Sequence, residues 1–230
     1  MVATAAPSTK VLTGFTSVGE FHYLHHDEHG QAYTDIGEMA GRICAAAGTT
    51  GIALTLLPVL YRHSNFGEMP PSPGQRRFIN TLEHFDDILA SARRHMATID
   101  NAVLGIAPHS LRAVSAAEIR AILPLCETGP VHIHAAEQQK EVDDCLAATG
   151  KRPVAYLFDT QSVDERWCLI HATHMTQAET ATLAASGAVA GLCPLTEANL
   201  GDGFFNASAY LADHGRIGIG SDSHIRIDMA

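Results

Sequence analysis

Apolar and polar positions along this chain change period again and again, from two to about 3.6 and back. "GFTSVGEFHY" (14–23) is strand-like, and "DIGEMAGRICAAAG" (35–48) has helical spacing with Gly48 as its expected stop. "GIALTLLPVLY" (51–61) is a continuous apolar run of the kind a strand covered on both faces needs. A loop rich in Pro and Gly follows, "SNFGEMPPSPGQ" (64–75), and a helix is predicted over "TLEHFDDILASARRHM" (81–96). Then come "AVLGIAP" as strand and "SAAEIRAILPLCE" as a helix capped by Ser115, with Glu118 at the capping-box position. "PVHIHA" reads as strand and residues 138–149 as helix, with "VAYLFDT" extending the helical layer. "WCLIHATH", "AVAGLCP" and "RIGIGSD" are strands, separated by the helices "TQAETATLAASG" and "NASAYLADHG".

Seven strands alternating with helices imply a parallel sheet covered by helices. That number suits a nearly complete (β/α)8 barrel better than a doubly wound sheet. The ends of the strands favour the same reading. They run into "EFHY", "APHS", "HIHAAE", "IHATH" and "GSDSH". A barrel gathers its chemistry at the C-terminal ends of its strands, and packing alone does not explain ionisable residues there.

Composition narrows the partners. Apolar residues make up 46% and charged ones 17%, a globular balance, and 230 residues suffice for one large domain. A net charge of −10 with no basic tract argues against nucleic acid and anionic membranes. An anionic ligand would need a local cationic clamp. Cys44, Cys126, Cys145, Cys168 and Cys193 are odd in number, form no CxxC and lie in or beside apolar segments, so buried free thiols are expected. No apolar run reaches membrane-span length, and "MVATAAPSTK" lacks a signal peptide's apolar core. A cytoplasmic protein is the expectation.

The candidate chemistry lies in three places. Asp222, at the end of the last strand, suits a metal ligand or a proton acceptor, although taken alone a cap for a following helix is the favoured reading. His134 can offer an imidazole nitrogen to zinc, with Glu137 close enough to shuttle a proton. The alternative is a satisfied core histidine beside a first-turn glutamate favoured by the helix dipole. His132 shares the strand parity of His134 but sits a layer deeper, as expected of a hydrogen-bonded core residue. His171 continues the strand "CLI" and is the better site candidate than His174. Together, His134, Glu137, His171 and Asp222 point to metal-assisted hydrolysis, in which the ion polarises a carbon centre and supplies hydroxide near neutral pH.

These residues resemble the amidohydrolase superfamily of metal-dependent barrels. The likeness is closer still to the formimidoylglutamate deiminase family, carried by "GEFHYLHHD" (19–27), "APHSLRAV" (107–114) and "HIHAAEQQKEV" (132–142), with "WCLIHATH" and "GSDSH" in agreement. The resemblance implies one zinc ion held by His134 and Asp222, with Asp222 also counted in the catalytic set. It implies that Glu137 passes protons between the hydrolytic water and the amidine nitrogen, and that His171 steadies the tetrahedral centre. Tyr23, His109 and Arg112 would bind the glutamate part of the substrate. An arginine just after a strand end is the clamp that a dicarboxylate calls for in an acidic protein; alone, Arg112 reads equally as a solvated loop residue and Tyr23 as an edge packing residue. The implied reaction is N-formimino-L-glutamate plus water giving N-formyl-L-glutamate and ammonia, as in histidine degradation. The resemblance leaves room for a homodimer.

One motif departs from the family. Its first barrel strand ends in HxH, supplying two more zinc ligands, and no HxH precedes "GFTSVGEFHY". The expected organisation is therefore a non-matching leader over 1–10 and a partial TIM-type barrel over 11–230, comprising strands two to eight. It lacks strand one and the family's small β domain, as a truncated form would. Weak zinc binding and two exposed sheet edges would follow. Two other readings stay open: another deaminase of the superfamily, acting on a ring or guanidino group, and a non-catalytic fragment.

Overall fold

A computed structural model describes residues 14–222. The expected leader over 1–10 and the histidine of "GSDSH", His224, lie outside the described residues. The strands are β1 (Ser17–His22), β2 (Ala53–Leu60), β3 (Ala102–Leu104), β4 (Ala107–Pro108), β5 (Val131–Ala135), β6 (Trp167–His171), β7 (Val189–Leu192) and β8 (Arg216–Ile219). The helices are α1 (Glu38–Thr50), α2 (Leu82–Met96), α3 (Ala116–Ile122), α4 (Gln139–Thr149), α5 (Pro153–Thr160), α6 (Gln177–Ser186), α7 (Pro194–Leu200) and α8 (Ala207–Ala212). Among the described residues no helix is long and apolar enough to cross a membrane.

All strand pairs are parallel. β2 lies between β1 and the β3–β4 segment, and β5, β6, β7 and β8 follow one another in order. The predicted single strand "AVLGIAP" is broken between β3 and β4 at Gly105 and Ile106. Glycine permits the close approach at this break. A Cβ on Gly105 would fall 2.5 Å from the Pro130 carbonyl oxygen and 2.6 Å from Leu57 Cδ2. At this close approach the segment hands its hydrogen bonds from β2 to β5: Gly105 N–H donates to Leu56 O and Ile106 N–H to Pro130 O. Parallel bridges Ile106–Val131 and Ser110–His134 complete the junction. The result is a seven-stranded parallel arc, the partial barrel the sequence predicts. Within the described residues its edges are β1 and β8.

The core lies between the arc and its helices. Val131, Ile133, Trp167 and Leu169 on the sheet pack with Ile119, Ile122, Val142, Leu157 and Leu183 on the helices. β5 and β6 run in register, Val131 opposite Trp167 and Ile133 opposite Leu169, so these four share one face. His132 and His134 take the other face by strand alternation. His132 is half-buried rather than a core residue, and burial pushes its pKa down to about 4.

Local signals set the helix ends. The capping box of Ser115 and Glu118 forms as predicted, and Thr176 with Glu179 makes a second. α1 does not stop at Gly48. It runs on to Thr50 and ends at Gly51, whose φ of 72° gives the left-handed turn that closes a helix. Gly48 faces open space and has no such role. α3 ends early because Pro124 cannot continue an α-helix, and a 3-10 turn over Leu123–Cys126 takes over. All five cysteines are buried and free.

Candidate active site

The site is assembled where β1, β4, β5, β6 and β8 end. The His134 ring lies 4.8 Å from the His109 ring, nearly parallel to it, and 5.5 Å from the His171 ring. His134 Nδ1 is 2.9 Å from the His109 carbonyl oxygen, an acceptor, so Nδ1 carries the proton and Nε2 keeps its lone pair. Burial, then the neighbouring His171, pushes the pKa of His134 down to about 3. Its imidazole is thus neutral, the form that binds metals.

His171 arrives by a less regular route. Trp167 and Leu169 face the helices, and strict alternation would send His171 the same way. The backbone leaves the strand conformation instead. His171 has φ 69° and Ala172 φ 50°, both left-handed. The ring turns to the centre, with Nε2 3.6 Å from Glu137 Oε1 and 3.9 Å from Asp222 Oδ2. That Nε2 is buried and, among the described residues, has no hydrogen-bond partner. Burial works against a charged His171, but the hydrogen bond to Glu197 and the carboxylates of Glu137 and Asp222 outweigh it and raise its pKa.

Glu137 follows Ala136, another left-handed residue at φ 52°. Burial raises the Glu137 pKa, against the opposing pull of His171 and Arg112. Arg112 Nη2 stands 3.8 Å from Glu137 Oε2, and Arg112 Nε is buried without a hydrogen-bond partner among the described residues. Arg112 also lines a cavity of about 360 Å³ with Asn65, Phe66, Leu111 and Tyr156. His109 contacts the rings of Tyr61 at 4.5 Å and Tyr23 at 5.5 Å. The Tyr23 hydroxyl is held protonated, by burial first and then by Asp222. All seven predicted site residues therefore converge. His174 does not join them; its Nε2 bonds the Asp202 carbonyl at 2.7 Å.

The donor set fits a divalent ion. His134, His171 and Asp222 each offer a ligand atom within 4.8 Å of the others. The unpartnered His171 Nε2 and the free lone pair on His134 Nε2 suit a cation better than a hydrogen-bond network would. Sequence reasoning assigned His134 and Asp222 to the metal; geometry adds His171 to that group. A second cluster, His171, Cys193 and Glu197, also has its ligand atoms within 4.8 Å of one another. It suits a metal poorly. Glu197 Oε1 already faces two nitrogens, Cys193 N–H at 2.8 Å and His171 Nδ1 at 3.1 Å. Burial also raises the Cys193 thiol pKa, against thiolate formation.

Two glutamates escaped the sequence reading. Glu141 is buried and accepts the backbone N–H groups of Ala136 at 3.1 Å and Glu137 at 3.0 Å, bracing that turn. Glu197 sits in α7, a helix that the sequence pattern did not reveal. One signal was present: in "CPLTE" the glutamate lies four residues after a strand-ending cysteine, one helical turn away from its N–H.

Comparison with known proteins gives a consistent result. A family model described as "Amidohydrolase family" matches residues 4–230. The chain is 54% identical over 217 residues to a formimidoylglutamate deiminase of Pseudomonas aeruginosa, covering 94% of this chain and 48% of that protein. A crystal structure of an amidohydrolase from Brucella melitensis superposes with a TM-score of 0.97 at 55% identity, covering 99% of this chain and 51% of that one. An adenosine deaminase from Xanthomonas campestris with bound zinc has a TM-score of 0.74 at 21% identity, covering 96% of this chain and 46% of that one, a likeness of fold alone. The chain spans about half the length of these relatives.

Proposed function

The chain belongs to the amidohydrolase family, and from that premise we propose that it carries most of the site of a zinc-dependent formimidoylglutamate deiminase. The reaction is N-formimino-L-glutamate plus water giving N-formyl-L-glutamate and ammonia. The observation that carries the proposal is the Arg112–Glu137–His171 line. A guanidinium stands 3.8 Å from one oxygen of a half-buried carboxylate, whose other oxygen stands 3.6 Å from a buried imidazole. A cationic anchor thus lies beside a proton carrier, as a substrate with carboxylates at one end and an amidine at the other requires. The 54% identity to a protein of that name supports the same substrate.

His134 and Asp222 would hold the zinc, with His171 in reach. When bound, zinc supplies Lewis-acid activation and lowers the pKa of water. The chain's own residues do the rest. Arg112 pairs with a substrate carboxylate, and the Tyr23 hydroxyl and His109 complete that grip. Glu137 would take a proton from the attacking water and pass it to the imino nitrogen, then carry the second water proton, released as C–OH becomes C=O, to the same nitrogen as the C–N bond breaks and ammonia leaves. Burial raises its pKa, the direction that favours a carboxylate which must give back the proton it takes. His171 Nε2 faces the centre, 3.6 Å from Glu137 Oε1 and 3.9 Å from Asp222 Oδ2, and would polarise or steady the tetrahedral centre there.

The test is ammonia release from N-formimino-L-glutamate by the purified chain with zinc. Release is expected, and Glu137→Gln should lower it by roughly 10²- to 10⁴-fold. Release from guanine or an s-triazine, and not from formiminoglutamate, would favour another deaminase of the family. Substoichiometric zinc with no release from any of them would favour a non-catalytic chain.

A further inference from the structure

We propose that Glu197 is a positioning residue that fixes the tautomer and orientation of the His171 ring; the inference deepens the deiminase reading and rests on it for its catalytic meaning. Glu197 Oε1 lies 3.1 Å from His171 Nδ1, and both side chains are buried. An ionised carboxylate only accepts hydrogen bonds, so the imidazole must place its proton on Nδ1. Nε2 is then the nitrogen presented to Glu137 and Asp222, and it is the one without a hydrogen-bond partner among the described residues.

Two further observations support this role. First, the ring faces the centre against the alternation of β6, carried there by left-handed backbone at His171 and Ala172. A side chain so placed needs a tether. Glu197 is well placed to serve, because its own Oε1 also accepts the Cys193 N–H at 2.8 Å and is locked to the end of β7. Second, the same device recurs at His134, whose Nδ1 meets the carbonyl oxygen of His109 at 2.9 Å. Both imidazoles are held at Nδ1 by acceptors that cannot donate. Both therefore turn Nε2 inward. Sequence spacing would not group Glu197 with His171, since the two lie on successive β–α units, 26 residues apart.

Nitrogen-detected NMR of the full chain with ring-¹⁵N histidine tests this at pH 9, where a neutral imidazole reports its tautomer. The His171 signal is the one lost in His171→Gln. Wild type should show a proton on Nδ1. Glu197→Gln keeps an acceptor oxygen and should retain that signal, whereas Glu197→Ala should move the proton to Nε2 or average the two nitrogens. A bare Nδ1 in the wild type would overturn the proposal, and so would a Glu197→Ala spectrum identical to wild type. The wild-type spectrum decides even if Glu197→Ala fails to fold. A chain that released no ammonia would count against the deiminase reading and leave the tautomer result standing.

Discussion

Glu141 reaches back one helical turn and accepts the backbone N–H of Glu137 at 3.0 Å, so a buried carboxylate sets the position of the half-buried one in the site. Its second oxygen accepts the Ala136 N–H at 3.1 Å. Burial raises the Glu141 pKa, while nearby Arg112 and the two N–H bonds pull the other way. Glu141→Ala would leave two amides without acceptors. We expect it to destabilise the fold by about 1–3 kcal/mol, read as a lower urea midpoint at unchanged slope. Glu141→Gln keeps one acceptor oxygen and should lose less.

Arg112 should act on substrate binding more than on turnover. Hydrogen bonds to charged groups are worth roughly 1.5–3 kcal/mol. Arg112→Ala should therefore raise the KM for formiminoglutamate by about 10- to 100-fold, measured by ammonia release. Arg112→Lys should recover only part of this, because an ammonium is a point charge and cannot reproduce the planar fork. An unchanged KM in both variants would remove Arg112 from the substrate grip.

Acid should weaken the fold through its buried histidines. His25 is buried with Nε2 2.9 Å from the Val59 carbonyl oxygen, and burial pushes its pKa from 6.5 down to about 4. The unfolded chain therefore takes up the proton first as pH falls. The stability tied to His25 is complete above pH 6.5 and is lost progressively between 6.5 and about 4. Its ceiling is roughly 3 kcal/mol. His22, shifted well down by burial, acts in the same direction. Unfolding midpoints measured from pH 8 to pH 4 should fall, and His25→Asn should flatten the curve. A midpoint that stayed level in the wild type would contradict the buried, neutral assignment.

Gly129, just before β5, is a packing requirement. A Cβ there would meet the Leu104 carbonyl oxygen and lie 2.5 Å from Cys126 Sγ. Gly129→Ala must push the β3–β4 segment away from β5. A loss of about 1–3 kcal/mol is expected, measured by thermal unfolding. Gly48→Ala is the control: a Cβ there meets nothing, and helix propensity makes the change neutral or stabilising.

The strand–helix rhythm was legible because alternation and caps are local. Val131 and Ile133 against His132 and His134 show the two faces of β5 without any tertiary knowledge, and Ser115 with Glu118 marks a helix start. Convergence of strand ends on one site follows from the architecture, so His134, Glu137 and Asp222 could be grouped from position alone. Three things could not be read. The break in "AVLGIAP" lies where the segment passes its hydrogen bonds from Leu56 to Pro130, a long-range switch. The sequence named His171 for the site but not its route there, since the inward turn contradicts its strand parity and rests on two left-handed residues that carry no glycine signal. Glu197 looks like an ordinary glutamate in "PLTEANL", and only the fold shows its oxygen beside His171.

Those left-handed residues have a broader consequence. Among the described residues, six other than glycine have positive φ, and four of them, Ala136, His171, Ala172 and Asp222, belong to the site or adjoin it. Each such residue costs roughly 1–2 kcal/mol relative to an ordinary backbone. The site is therefore a loaded spring, held in shape by the buried carboxylates that brace its turns and by the core beneath. Loosening that core at a distance should relax these turns before it melts the strands. Damage far from the chemistry would then register first as lost catalytic geometry and only later as lost fold.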